Sequence, residues 1–190
     1  IDFAVFAGHK SLLGPFGIGG FICKQNENRL SPILFGGNGI NSEAQDMPSE
    51  LEQMEEIGSK NVYAIAGLHA AITFIGESLA PLRQAEQQNS QSLHELLESY
   101  ANIHIVAGKM QQASTGTVSV LFEGYSPDEI GQVLNSQGVF VRTGLHCAPF
   151  AHKFLGTLPS GTVRFSSSPL TSPEAYEHLK AALDYIEINS

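Results

Sequence analysis

Ala7-Gly8-His9-Lys10-Ser11-Leu12-Leu13-Gly14-Pro15-Phe16-Gly17-Ile18-Gly19-Gly20 joins two apolar runs, residues 2–6 and 19–24, that read as strands. Glycines and one proline let the backbone turn tightly and let a ligand approach it closely. A lysine on such a turn is a poor surface lysine. Amine chemistry on a carbonyl cofactor needs this setting, with desolvation lowering the amine's pKa. The plainer reading is a glycine-rich β-turn with an incidental lysine, and this stretch alone leaves both open.

The 190 residues suffice for one large domain or two small ones, and 42% hydrophobic content is enough for a sizeable core. A net charge of -9 argues against nucleic acid or an anionic membrane as partner. No apolar run is long enough to span a bilayer, and no basic start announces a signal peptide. Cys23 and Cys147 are too few and too far apart for a disulfide framework, so a reducing, cytoplasmic setting is expected. No metal site is expected. Ile1 stands inside an apolar run with no preceding Met, so the chain is expected to be a piece of something longer.

Working outward, residues 25–29 read as a hairpin-like turn and 36–50 as an irregular loop long enough to suspect a function. Val62, Ile65, Leu68, Ala71 and Ile72 have helical spacing over 61–74. Ser78 and Pro81 mark a break before a second helix over 82–100, polar on most faces. The remainder reads as a compact α/β module, with strands at 103–106, 117–122, 139–142 and 162–166. Ser126-Pro127-Asp128-Glu129 is a helix start with a Ser cap, a first-turn Pro and Glu three residues on; Gly138 closes that helix. Thr171-Ser172-Pro173-Glu174 repeats the device before a helix with Ala175, Leu179, Ala182, Leu183 and Ile186 on one stripe. The chain shows no internal repeat and no low-complexity tract.

Val141-Arg142-Thr143-Gly144-Leu145-His146-Cys147-Ala148-Pro149 is the strongest chemical signal in the second half. Cationic neighbours favour a thiolate and so make a cysteine nucleophilic. The alternative is a structural cysteine on a helix-start turn. Cys23, inside Gly20-Phe21-Ile22-Cys23, suits a structural role better than Cys147 does. Arg29 and Lys153 read as surface charge. In Gly161-Thr162-Val163-Arg164-Phe165-Ser166, Val163 and Phe165 share one strand face and Arg164 takes the other. Arg164 is either a carboxylate clamp, for which its planar fork is suited, or a sheet-edge arginine facing water.

These blocks occur in one order: Ala7-Gly8-His9-Lys10, Gly14-Pro15-x-Gly17-Ile18-Gly19, Glu56-x-Gly58-Ser59-x-Asn61, Arg142-Thr143-Gly144-x-His146-Cys147-Ala148-Pro149 and Gly161 to Ser166. The ordered set resembles the class V aminotransferase family of pyridoxal-phosphate enzymes, in its cysteine desulfurase and selenocysteine lyase branch. The resemblance covers essentially the whole chain. It implies an α/β fold: residues 1–77 as the C-terminal part of the large cofactor-binding domain of a fold type I transferase, 78–101 as a connecting helix and 102–190 as a smaller α/β domain. The large domain of the family is a mostly parallel seven-stranded sheet, so an exposed sheet edge is expected here unless a partner covers it.

The resemblance also implies roles. Lys10 is similar to the lysine that forms the Schiff base with pyridoxal 5'-phosphate, and His9 to a residue that reaches its phosphate. Ser59 stands where a Thr or Ser contacts the phosphate from the neighbouring subunit of a homodimer with a shared active site. Arg164 resembles the arginine that pairs with the substrate carboxylate, Arg142 a second substrate-side arginine, and Cys147 the sulfur acceptor. The implied reaction moves sulfur from L-cysteine to Cys147 as a persulfide and releases L-alanine, with a sulfur-acceptor protein as a further partner. Other class V activities stand beside it: selenocysteine lyase, cystine or cysteine lyase, aminotransferase, or an inactive truncated protomer. Ala7 replaces a common Ser, Leu145 a frequent His, and Pro169-Leu170-Thr171-Ser172 the usual Asn-Thr turn. The groups that hold the cofactor ring in this family precede the lysine by a long way, so these 190 residues are expected to hold a partial site.

Overall fold

The computed structural model describes residues 1–24, 33–37, 39–40, 43–47, 57–106 and 115–189. The expected turn at 25–29, Arg29, Glu56 and parts of the loop at 36–50 lie outside these residues; the described parts of that loop are neither helix nor strand. The chain forms two units, Ile1–Ser78 and Leu79–Ser190.

In the first unit, β1 (Phe3–Ala7) and β2 (Gly19–Cys23) pair antiparallel, with Phe3 opposite Cys23 and Ala7 opposite Gly19. No further strand joins this ladder among the described residues. α1 (Val62–Glu77) starts on Asn61, whose side chain accepts from the Ala64 N–H at 3.1 Å. Its helical spacing is as read, but within this unit only Ala64 and Leu68 are buried, and Val62, Ile65 and Ile72 stay exposed.

The second unit runs α2 (Leu79–Glu98), β3 (Ile103–Ile105), β4 (Thr117–Phe122), α3 (Pro127–Ser136), β5 (Arg142–Gly144), α4 (Pro149–Leu155), β6 (Thr162–Ser166) and α5 (Pro173–Ile188). Its sheet is antiparallel throughout, in the order β3-β4-β6-β5. Alternation along β4 and β6 sends Val118, Val120, Phe122, Val163 and Phe165 into one core with Leu93 and Leu97 of α2, Ile130 and Leu134 of α3, and Leu179, Ala182, Leu183 and Ile186 of α5. Each fully buried Leu or Ile here is worth about 1.5–3 kcal/mol of transfer free energy. α2, expected as a connector, therefore belongs to this unit through its last two turns.

Ser126 and Glu129 make the reciprocal cap read from the sequence: Ser126 Oγ accepts from Glu129 N, and Glu129 Oε2 accepts from Ser126 N at 2.8 Å. Ser172 caps α5 by position, without a side-chain bond to the helix backbone. Ala175 is exposed, whereas the other four residues of the expected stripe are buried. Some boundaries differ from expectation, and one helix was not expected. α2 starts at Leu79, because Pro81 falls in its first turn, where the missing N–H is not needed. β5 occupies 142–144 rather than 139–142: Val139 N bonds back to Leu134 O at 2.9 Å, and Val139 and Val141 pack on the core as loop residues. Helix α4 is one that periodicity did not show; seven residues are too few for a repeating stripe.

Candidate active site

Lys10 lies on the turn after β1, in the first unit. Leu13 N donates to Lys10 O at 2.9 Å, Gly14 N to Gly8 O at 2.8 Å and Gly8 N to Ile18 O at 2.9 Å. A side chain at Gly8 would meet Ile18 O at 2.9 Å, and one at Gly14 would meet both Gly8 O and the Leu68 side chain at 2.9 Å. Glycine is required at both positions because backbone crosses backbone against α1. These bonds fix the backbone of the turn, but Lys10 itself is exposed, and the described residues around it do not desolvate its amine. No group among the described residues pairs with its amine. His9, also exposed, stacks on Phe16 with ring centroids 4.8 Å apart. Ser59 is exposed beside Gly58, two residues before the cap of α1.

In the second unit the sheet builds a separate cluster. Arg164 sits on β6 between β4 and β5, so it is not on a sheet edge, and it is only partly exposed. Its side chain takes the face opposite Val163 and Phe165, and Arg142 stands directly across the ladder from it. Like charges placed opposite one another repel, and no carboxylate pairs with either guanidinium among the described residues. Arg164 Nε is buried without a partner. Two such forks side by side are prepared for an anion such as a carboxylate. Arg142 also donates from Nη2 to Cys147 Sγ at 3.6 Å, and Cys147 is exposed. The structure therefore joins Arg142, Arg164 and Cys147 in one cluster, whereas Lys10, His9 and Ser59 belong to the first unit.

The loop that presents Cys147 is held by residues of the quoted blocks whose structural part the sequence did not show, and His146, read there as a cationic neighbour of the thiol, is instead held against protonation. Gly144, His146 and Cys147 have φ of 94°, 49° and 62°. The left-handed region costs a non-glycine residue about 1–2 kcal/mol, so the loop must be over-determined by its contacts. His146 Nε2 lies 2.9 Å from the Oγ1 of Thr162, which is fully buried. His146 Nδ1 is buried without a partner. Burial above all, then Arg164, His152 and Arg142, push the His146 imidazolium below the usual histidine range. His152 of α4 is buried, bonds Thr157 Oγ1 at 2.7 Å and lies 5.7 Å from His146, ring to ring. A side chain on Gly161 would fall 2.2 Å from Gly144 backbone, so the turn before β6 is pressed against the loop. Thr143 Oγ1 donates to Asp128 Oδ1 at 2.7 Å and ties β5 to the start of α3. The signal available in sequence was the His between Gly144 and Cys147; the left-handed backbone carried no residue signature.

The family described as Aminotransferase class-V matches residues 1–179. A probable cysteine desulfurase of Methanothermobacter thermautotrophicus is 28% identical over 191 residues, 97% of this chain and 47% of that protein. The apo cysteine desulfurase of Thermococcus onnurineus NA1 is similar in structure with a TM-score of 0.87 at 27% identity, over 97% of this chain and 46% of that one. A C-DES variant with glycine covalently linked to its PLP cofactor gives a TM-score of 0.77 at 25% identity, over 96% and 46%. The chain spans about half the length of the relatives it matches.

Proposed function

The chain belongs to the class V aminotransferase family, and on that premise we propose that it is the part of a cysteine desulfurase that carries the Schiff-base lysine and the sulfur acceptor. The substrate is L-cysteine, the product L-alanine, and the sulfur leaves as a persulfide on Cys147. The observation that carries this reading is the cluster of Cys147 Sγ, 3.6 Å from Arg142, with Arg164 directly opposite Arg142. A carboxylate and a thiol are two of the three functional groups of cysteine, and this cluster offers a partner for each.

The first unit fits the aldehyde and phosphate end of pyridoxal phosphate. Lys10 offers an amine that no described residue engages, and the Phe16 stack fixes the His9 ring while leaving it exposed. Ser59 would serve the phosphate of the neighbouring subunit in a homodimer. When bound, the cofactor supplies an electron sink for the substrate Cα. Lys10 Nζ holds the cofactor and then takes and returns the Cα proton. Arg164 and Arg142 orient the substrate carboxylate. Cys147 Sγ, as a thiolate stabilised by Arg142, bonds to the substrate sulfur as that sulfur parts from Cβ; the S–Cβ electron pair stays with Cβ, which takes the proton given up by the substrate thiol and becomes the methyl group of alanine. A reducing, cytoplasmic setting belongs to this proposal, because the acceptor must return to a free thiol between turnovers.

Cys147→Ala in the intact protein tests the reading. Alanine release from cysteine should fall to background. Release that survives unreduced would move the protein to the lyases or aminotransferases of the same family, where Lys10 and Arg164 act without the thiol.

A further inference from the structure

We infer that His146 is a positioning residue for Cys147: as a neutral imidazole, bonded to Thr162, it pins the loop that carries the thiol, and protonation of His146 releases that loop. The pinning is read from geometry alone; its meaning for sulfur transfer rests on the desulfurase proposal.

Three observations place the imidazole between loop and sheet. Its Nε2 lies 2.9 Å from Thr162 Oγ1, and Thr162 is completely buried on β6, opposite Gly144. The same residue and the next, Cys147, hold φ of 49° and 62°, a conformation that a free loop would leave. The ring also faces buried His152 on α4, so it is packed from the helix side as well as the strand side. Anchoring His146 therefore fixes the adjoining residue, and with it the 3.6 Å contact between Cys147 Sγ and Arg142.

The protonation state follows from what surrounds the ring. Arg142 of β5, Arg164 of β6 and His152 of α4 are the charged or titratable groups acting on it, with the Cys147 thiol beside it in the chain. None of them is a carboxylate. Nδ1 is buried with no partner beside two guanidiniums, a place that penalises a second N–H and its positive charge more than a bare lone pair. The neutral tautomer with its proton on Nε2, donated to Thr162, is the one this pocket accepts. In a released loop the imidazole regains water and its ordinary pKa of about 6.5. Because the anchored form resists protonation, anchoring is complete above that value and weakens as pH falls below it.

The test follows the Ala148 amide, which donates to Leu145 O at 2.8 Å inside this loop. Its hydrogen exchange in the intact protein is normalised to the intrinsic rate at each pH. Protection should fall by about tenfold between about pH 7.5 and about pH 5.5. His146→Gln keeps a donor where Nε2 stood and removes the titration, so protection should stay high and flat. His146→Ala should give low protection at every pH and faster alkylation of Cys147 by iodoacetamide at fixed pH, followed on its own peptide. A flat wild-type profile, or the same fall in His146→Gln, overturns the inference. If His146→Ala does not fold, the comparison of wild type with His146→Gln decides alone. Neither readout uses cysteine or cofactor, so their failure is separate from failure of the desulfurase reading.

Discussion

Arg142 and Arg164 stand directly opposite one another across the β5–β6 ladder, on the sheet face turned away from the helical core. Two guanidiniums in register, with no carboxylate paired to either among the described residues, are unfavourable for the fold by themselves. Their position becomes intelligible when an anionic ligand completes them, and that sets the first expectation.

Arg164→Ala should raise the KM for cysteine and lower kcat/KM by about 10- to 100-fold, the worth of a charged hydrogen-bonded pair. Arg164→Lys should restore little, because a point charge does not reproduce the fork. Steady-state kinetics on the intact protein check this. An unchanged kcat/KM in Arg164→Ala would remove the carboxylate role.

Lys10→Ala should fold normally, since Lys10 is exposed and its side chain bonds to nothing among the described residues. It should fail to develop the visible absorbance of a Schiff base on addition of pyridoxal phosphate. Absorbance equal to wild type would assign the cofactor to another lysine.

Gly161→Ala should destabilise the protein by about 2–5 kcal/mol, from a left-handed backbone plus a clash with Gly144. Gly124→Ala is the comparison: its φ is also positive, at 81°, but nothing lies within 4 Å of the added carbon. It should cost only about 1 kcal/mol. Denaturant midpoints measure both, and equal losses would contradict the close approach at Gly161.

Tyr100 is buried and donates to Asp184 Oδ1, and burial followed by the Asp184 carboxylate pushes its phenol well above the ordinary value. A group raised in the folded state stabilises fully below its unfolded pKa, here about 10, and that stability drains away as pH climbs further. Unfolding free energy should therefore fall above about pH 10 in wild type and fall less steeply in Tyr100→Phe. Parallel curves would contradict it.

Much of the second unit was legible in the residues. The alternation of Val163, Arg164 and Phe165 placed the arginine on the open face, and Ser126 with Glu129 announced its helix through an interaction local enough to read in four letters. Strand β5 was misplaced because Val139 and Val141 resemble a strand, while their burial comes from packing after α3 rather than from pairing. The loop at Cys147 was visible as chemistry but not as shape. Its left-handed turn at two non-glycine residues is imposed by Thr162 and the close approach of Gly161, which lie fourteen or more residues on. Lys10 shows the opposite limit: its glycine frame was legible, but the expected desolvation is not supplied by the described residues around it.

The central claim is that Cys147 receives the sulfur. Brief reaction of the intact protein, loaded with pyridoxal phosphate, with L-cysteine, followed by mass analysis of the peptide that carries Cys147, tests it most directly. The account predicts that this peptide gains one sulfur atom, lost again on reduction, while the Cys23 peptide does not. Alanine formation with no added sulfur on Cys147 at any time point would contradict it.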